Sequence, residues 1–559
     1  MSLTCLGIFI AYGPTVDLQK EGLGRLLGAF LQAAATREDV RFTIACPQWS
    51  KKRLLEFFES EGIPAGAFEI VSTDGLPFFL RMYLAFRARQ SKPRKRGRFA
   101  RLLARPRTWF VKLLRRVARI VVSTRSFVPW LLLASAVAIL AAVLVPLAGA
   151  VLLVPAALFA FGAILIRLLR LVRRSGWLKA VRTRLSRRAK QRRGESLTVR
   201  FYRLMEEAEI ERMVTKINSL THVQAWYSPA AFWPGFNRIF APRLLCVPDV
   251  VPAEFPLGFA QLQPELLGNF ETVERSIRGA MHFVTYSARV KWNTLVDRYA
   301  VSPDAVSVIP HGSWDLGPWI RVRGFDEEEQ PTRQYCELVL QRALARARDV
   351  LYVPGLAANS LRFLFYPSQF RPNKNLLTLL RAYEYLVRQR FIPHKLILTG
   401  HPTGCKPVED FIRDYHLERD VLCLHGLTTP ELAATYHLAD LVVNPSLSEG
   451  GFPFTLTESI SVNTPVVMAR IAVTEEVVQD PALQEMMLFD PYDWQDAAVR
   501  IEWALQHRAS LLEAQHEFCE RLGQRTWRDV VGDYVTVLEH LAAGESPGAS
   551  SPQAEAVRR

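Results

Sequence analysis

Short apolar runs alternate with amphipathic stretches along most of the chain. In the first half the runs are Leu3 to Ala11, Val40 to Cys46, Val223 to Tyr227, Leu244 to Val247, Met281 to Tyr286 and Val306 to Ile309. In the second half they are Leu361 to Tyr366, Leu396 to Thr399, Val421 to Leu424, Leu441 to Val443 and Val466 to Met468. Each has the length of a buried strand, and all but Val466 to Met468 are followed within two residues by Gly, Pro, Asn or Ser. Between them lie segments of helical length and period: Leu26 to Ala35, Phe201 to Leu220, Gln334 to Asp349, Leu376 to Arg388, Pro430 to Leu438, Phe454 to Val462, Trp494 to His507 and Ala509 to Leu541. Strands that alternate with helices predict an α/β class with parallel sheets. Runs apolar at every position fit strands covered on both faces.

In such sheets ligands bind at the carboxyl ends of strands, so the loops there carry the candidate chemistry. The stretch from Leu441 to Val467 reads strand, loop, helix, strand. Its loop carries Glu449, Gly450, Gly451 and Phe452, and its helix carries Glu458. The helix start offers free N–H groups suited to a phosphate. The strand ending at Tyr366 leads into PSQFRPNKN. There Arg371 supplies a planar fork of donors and Lys374 a point charge, a combination that can hold a diphosphate. Gly400 ends another strand, where a base or ribose can lie. In the first half Gly22 and Gly24 stand at a loop-to-helix junction, with Lys20 and Arg25 beside them as phosphate ligands or solvated surface. Asp249 follows a strand end and fits either an acceptor contact or a cap. His311, in Val306 to Gly312, faces a cleft or sits in a surface turn.

Charge changes the picture in one place. The chain has 70 Lys and Arg against 54 Asp and Glu, a formal net charge of +16. Residues 87–200 hold 28 of those basic residues and one acidic residue, Glu195, so the remainder is mildly acidic. Inside that basic segment Ser126 to Ile166 runs 41 residues without a charge. A bilayer core takes about 20 residues of helix, so the run fits a hairpin of two spans. Basic flanks on both sides place both ends in the cytoplasm, and a shallow re-entrant hairpin is the alternative. Such flanks attract anionic lipid at about 1 kcal/mol per residue. Nucleic acid is not expected, because no nucleic-acid fold signature accompanies the charge. The seven cysteines are scattered without a CxxC, which fits a reducing compartment rather than a disulfide framework or zinc site. The start, MSLTCLGIFIAYG, lacks a basic n-region and reads as a first strand rather than a signal peptide.

The stretch with Glu449, Gly451-Phe452-Pro453, Glu458 and Thr464-Pro465-Val466-Val467 resembles the donor motif of retaining GT-B glycosyltransferases, glycosyltransferase family 4 in particular. Arg371 and Lys374 match that family's phosphate-binding pair by type and place. Two departures stand out. Eight residues separate the two Glu where the family usually has seven, as though one glycine of Gly450-Gly451 were inserted. Pro248 stands where the family often has a His before the Asp.

The resemblance implies two Rossmann-like domains facing a cleft. Residues 1–86 and 201–313 form the first, and 87–200 an insertion with a transmembrane hairpin at about 126–166. A connection follows at 314–360, a donor-binding domain at 361–515, a helix crossing back at 516–541 and a disordered tail at 542–559. It further implies transfer of a sugar from a nucleoside diphosphate sugar with retention, and no obligatory metal or other cofactor. Arg371 and Lys374 would hold the diphosphate, and Glu449 the donor sugar. Glu458 would take the ribose, with Gly450, Gly451, Phe452 and Gly400 lining the donor. Gly22, Gly24, Asp249 and His311 would face the acceptor side. FRPNKN and EGGFPFTLTES are similar to mannosyl-transferring members. With the hairpin, the expected acceptor is lipid-linked or a polysaccharide at the cytoplasmic face of the inner membrane. The alternatives are a scaffold that kept the fold without turnover, and a sugar-nucleotide enzyme such as an epimerase.

Overall fold

Two parallel sheets carry the chain in a computed structural model that describes residues 4–14, 16, 22–78, 80–82, 135, 197–262, 266–325, 327–347, 361–400, 405–523 and 525–545. The first sheet is built from β1 (Thr4–Phe9), β2 (Val40–Cys46), β3 (Glu69–Ser72), β4 (Ala225–Ser228), β5 (Arg243–Cys246), β6 (Phe283–Thr285) and β7 (Val306–Val308), in the order β3-β2-β1-β4-β5-β6-β7. The second is built from β8 (Phe363–Tyr366), β9 (Lys395–Leu398), β10 (Val421–Cys423), β11 (Leu441–Asn444), β12 (Val466–Ala469) and β13 (Leu488–Phe489), in the order β10-β9-β8-β11-β12-β13. In both, the chain leaves the first-laid strand in one direction, then returns and builds in the other. The switch points fall between β1 and β4 and between β8 and β11, pairs that run parallel. β8, β11 and β12 are buried at every position, as strands covered on both faces must be.

Five helices matter for the site: α1 (Gly22–Ala35), α2 (Leu376–Arg388), α3 (Phe454–Ile460), α4 (Ala472–Val477) and α5 (Trp527–Ala542). The predicted helix from Ala509 to Leu541 is two helices, Arg508–Gly523 and α5. The break is a capping box in which Thr526 and Asp529 bond each other's backbone. α5 crosses back to the first sheet. Its Val530, Val531, Tyr534 and Leu538 are buried, and the Tyr534 ring lies 4.9 Å from Tyr227 and 5.3 Å from Phe30. The helix Gln48–Ser60 and the strand β3 were not foreseen, since Gln48–Ser60 is mostly polar and β3 is only four residues long.

Residues 1–46, 52–71 and 217–559 form one unit, which holds both sheets. The other unit takes in 47–51 and 72–216. Within the latter, Trp49, Leu80 and Met205 make a small apolar cluster, Thr73 bonds Glu209, and the Lys216 ammonium donates to the Ser72 carbonyl at 2.8 Å. The hairpin expected at 126–166 lies, Ser135 apart, outside the described residues, as do Lys20 and the tail beyond Glu545. Among the described residues no helix is long and apolar enough to cross a membrane. The seven cysteines are free thiols.

Candidate functional site

The site forms where the loops after β8 and β11 meet, at the switch point of the second sheet. Tyr366 ends β8, and its hydroxyl lies 3.0 Å from Ser446 Oγ in the other loop. Asn373 ties the loops more closely. Its side-chain amide donates to the Ser448 carbonyl at 3.1 Å, and its backbone carbonyl accepts from Leu447 N at 2.8 Å. Asn375, left-handed at φ 52°, then opens α2, so the backbone turns sharply after Lys374.

This framework brings Lys374 Nζ to 2.5 Å from Glu449 Oε1. Both side chains are about four-fifths buried, with exposures of 21% and 19%. Burial opposes the Lys374 charge, but Glu449, Tyr366 and Asp249 more than offset it, and the lysine titrates above its ordinary value. Arg371 is exposed beside it and donates to Gln369 Oε1 at 2.8 Å, a contact easily exchanged for a ligand.

Glu458 lies one turn into α3 and is buried. One of its oxygens accepts from the Tyr436 hydroxyl at 2.6 Å and the other from the Arg25 guanidinium. Arg25 belongs to α1, so this ion pair joins the two sheets' domains. Its guanidinium also sits 4.9 Å from the Trp314 ring centre. The reading of Arg25 as a phosphate ligand or free surface therefore gives way to a bridge across the cleft. α3 stops at Ile460, short of the expected Val462, and is only seven residues long. The helix-end field expected for a phosphate is correspondingly weak.

The glycines divide by what they touch. A Cβ on Gly450 would lie 2.0 Å from the Pro248 carbonyl oxygen, and one on Gly451 2.8 Å from Tyr286 Cβ. The loop after β11 is therefore pressed against the first domain with no room for side chains. Gly400 serves packing: the Phe370 ring fills the place its Cβ would take, at 2.0 Å. Gly22 and Gly24 lie in the first turn of α1 rather than in the loop before it. Phe452 packs against the second domain's core. His311 is sandwiched between Phe454, at 4.1 Å, and Tyr286, at 5.8 Å. Burial lowers its pKa and favours neutral imidazole.

Asp249 keeps an exposed surface, yet the Gly450 loop packs close to its Cβ and its carboxyl is desolvated. That crowding, with the charge of Glu449 added and Lys374 and Arg371 opposing, pushes its carboxyl up to about 6. A carboxyl raised in the fold lowers stability as pH climbs from the ordinary aspartate range to about 6, because the unfolded chain releases the proton first. Asp249→Asn is therefore expected to be more resistant to urea than the parent at pH 7.5 and indistinguishable from it at pH 4. Should the carboxylate serve the reaction, the parent's rate falls as pH drops through about 6, and the variant's profile is flat there.

Sequence reading missed Tyr436, Asn373, Ser448 and Glu476. Asn373 sat between the two residues singled out, and only the buried turn it braces gives it meaning. Among the described residues no cluster of His, Cys, Asp or Glu is placed to hold a metal ion.

Residues 355–526 match the family described as glycosyl transferases group 1. The serotype-specific mannosyltransferase WbdA of Escherichia coli is 26% identical over 208 residues, which are 35% of this chain and 25% of that enzyme. The D-inositol 3-phosphate glycosyltransferase of Saccharomonospora viridis is 27% identical over 334 residues, 56% of this chain and 69% of that enzyme. This chain spans a quarter or less of the WbdA proteins it matches. The crystal structure of a glycosyltransferase from Rickettsia africae resembles the fold with a TM-score of 0.50 at 11% identity, over 97% of this chain and 99% of that one. Two doubly wound parallel sheets give the chain a GT-B-like fold, and it is the second of them that matches the glycosyl transferases group 1 family.

Proposed function

We propose that the chain is a membrane-associated, retaining hexosyltransferase. It moves a sugar, mannose in this reading, from a nucleoside diphosphate sugar to a lipid-linked or polysaccharide acceptor at the cytoplasmic face. The observation that carries the proposal is the pairing of Lys374 with Glu449 beside Arg371, where the two switch-point loops converge. In the reaction a bond forms between the acceptor oxygen and the anomeric carbon, the bond from that carbon to the diphosphate breaks, and the acceptor hydroxyl's proton passes to the departing diphosphate. Negative charge gathers on the departing diphosphate. Arg371 and Lys374 stabilise it more in the transition state than in the bound donor, which is how fixed charges accelerate. Glu449, held by Lys374, contacts the donor sugar, and Glu458, held by Tyr436, takes the ribose hydroxyls. Phe452 and the Gly450–Gly451 backbone line the donor. Asp249 accepts a hydrogen bond from the acceptor hydroxyl, with Gly22, Gly24 and His311 on the acceptor side.

Mannose as the sugar is supported by the mannosyltransferases among the relatives, and the membrane by the uncharged run between basic flanks. A thermal-shift and hydrolysis screen of the detergent-purified protein against GDP-mannose, UDP-glucose and UDP-galactose tests the reading. One donor is expected to stabilise the parent but neither Arg371→Ala nor Glu458→Ala. No response to any donor from folded protein would sink it.

A further inference from the structure

Glu476 lies on α4, after β12, away from the loops that meet the donor in the proposed reaction. Its two carboxylate oxygens reach across to the first domain, accepting from Ala288 N at 2.8 Å and Arg289 N at 3.2 Å. The segment they grip bears on both sides of Glu449. Ser287 Oγ accepts from Val290 N at 3.3 Å, which orients its proton, and donates to the Gly450 carbonyl at 2.9 Å. The Arg289 guanidinium lies 3.4 Å from Ser448 Oγ and 3.5 Å from Glu254. Ser448 and Gly450 are the residues immediately before and after Glu449. A line of bonds thus runs from Glu476 through residues 287–289 to the loop that presents Glu449 to Lys374.

We infer that Glu476 is a positioning residue for the transfer proposed above. It fixes residues 287–289 against the loop and so seats Glu449, without touching donor or acceptor. A carboxylate suits this task, since two backbone N–H groups bonded to one anion form charge-assisted bonds of defined direction. α4 is anchored independently by buried Val473 and Thr474, so the second core does not need the Glu476 side chain. The inference rests on the transfer reading, and its test separates the two.

The full-length protein and Glu476→Ala would be compared in hydrolysis of whichever of GDP-mannose, UDP-glucose and UDP-galactose the parent turns over. Affinity for the matching free nucleoside diphosphate and amide exchange would be measured alongside. For Glu476→Ala, kcat is expected to fall by about tenfold or more, the loss that misplacing a reacting group produces. Nucleotide affinity should stay within about twofold, because Arg371, Lys374 and Glu458 are untouched. Exchange should quicken in 287–290 and 446–451 but not in β8. Glu476→Gln keeps one acceptor oxygen and is expected to recover part of the rate. An unchanged kcat in Glu476→Ala overturns the inference while the transfer reading stands. So does an equal loss of nucleotide affinity with exchange raised throughout, which marks a merely structural residue. A parent that turns over no donor overturns both.

Discussion

Lys374→Ala is expected to lower kcat/KM for donor transfer by about 10²–10³, or about 3–4 kcal/mol, the size seen when one preorganised charge stabiliser is removed. Two roles meet in this side chain. It supplies positive charge where the leaving diphosphate would sit, and it holds Glu449 at 2.5 Å. The roles separate by measurement. Loss of the charge weakens binding of a free nucleoside diphosphate, whereas loss of the Glu449 contact does not. Lys374→Ala should therefore fail in both nucleotide binding and turnover, and Glu449→Gln mainly in turnover. Lys374→Arg should rescue little, because a planar, longer guanidinium cannot take the place of the compact ammonium that meets Glu449. Parent-level nucleotide affinity in Lys374→Ala would remove the diphosphate from its proposed place.

The parallel α/β fold was legible because its signals are local. Runs such as Phe363 to Tyr366 and Leu441 to Val443 are apolar at every position, which fits a strand covered on both faces, and Pro or Asn closes each. Loops at the carboxyl ends of those runs could therefore be picked out before any geometry was known. What sequence could not provide is contact across the cleft. Arg25 and Glu458 are separated by 433 positions and Ala288 and Glu476 by 188, and neither pair carries a periodicity or spacing that links it. Tyr436 falls within the helix expected from Pro430 to Leu438, and only the fold aims its hydroxyl at Glu458. Gly400 shows the opposite limit. A glycine at a strand end reads equally as room for a ligand or room for a neighbour, and Phe370 fills the space. The stretch with the strongest membrane signal, 126–166, lies, Ser135 apart, outside the described residues, so its hairpin stands on composition.

Gly450→Ala should cost more than any other single methyl group in the site, at least about 100-fold in kcat, as expected when a reacting group shifts by about 1 Å. The added Cβ would stand 2.0 Å from the Pro248 oxygen and 2.6 Å from the Pro248 carbonyl carbon. Both are backbone atoms, which cannot swing aside as a side chain can. The loop would have to retreat, taking its carbonyl from Ser287 and Glu449 from Lys374. This contact also joins the two departures from the resembled motif. Gly450, one of the glycine pair, lies against the proline that stands where the resembled family often has a His, and proline limits where its carbonyl can point by fixing φ and restricting Val247 before it. The two changes are thus expected to act as one. Deleting Gly450 restores seven residues between Glu449 and Glu458, and Pro248→His restores the imidazole. Each alone should impair transfer, and together they should retain more activity than the product of the single effects, since residues in contact couple by about 0.5–3 kcal/mol. Effects that simply multiply would show that Gly450 and Pro248 touch without depending on each other, and would leave the loop's closeness to the first domain to Ser287, Arg289 and Glu476.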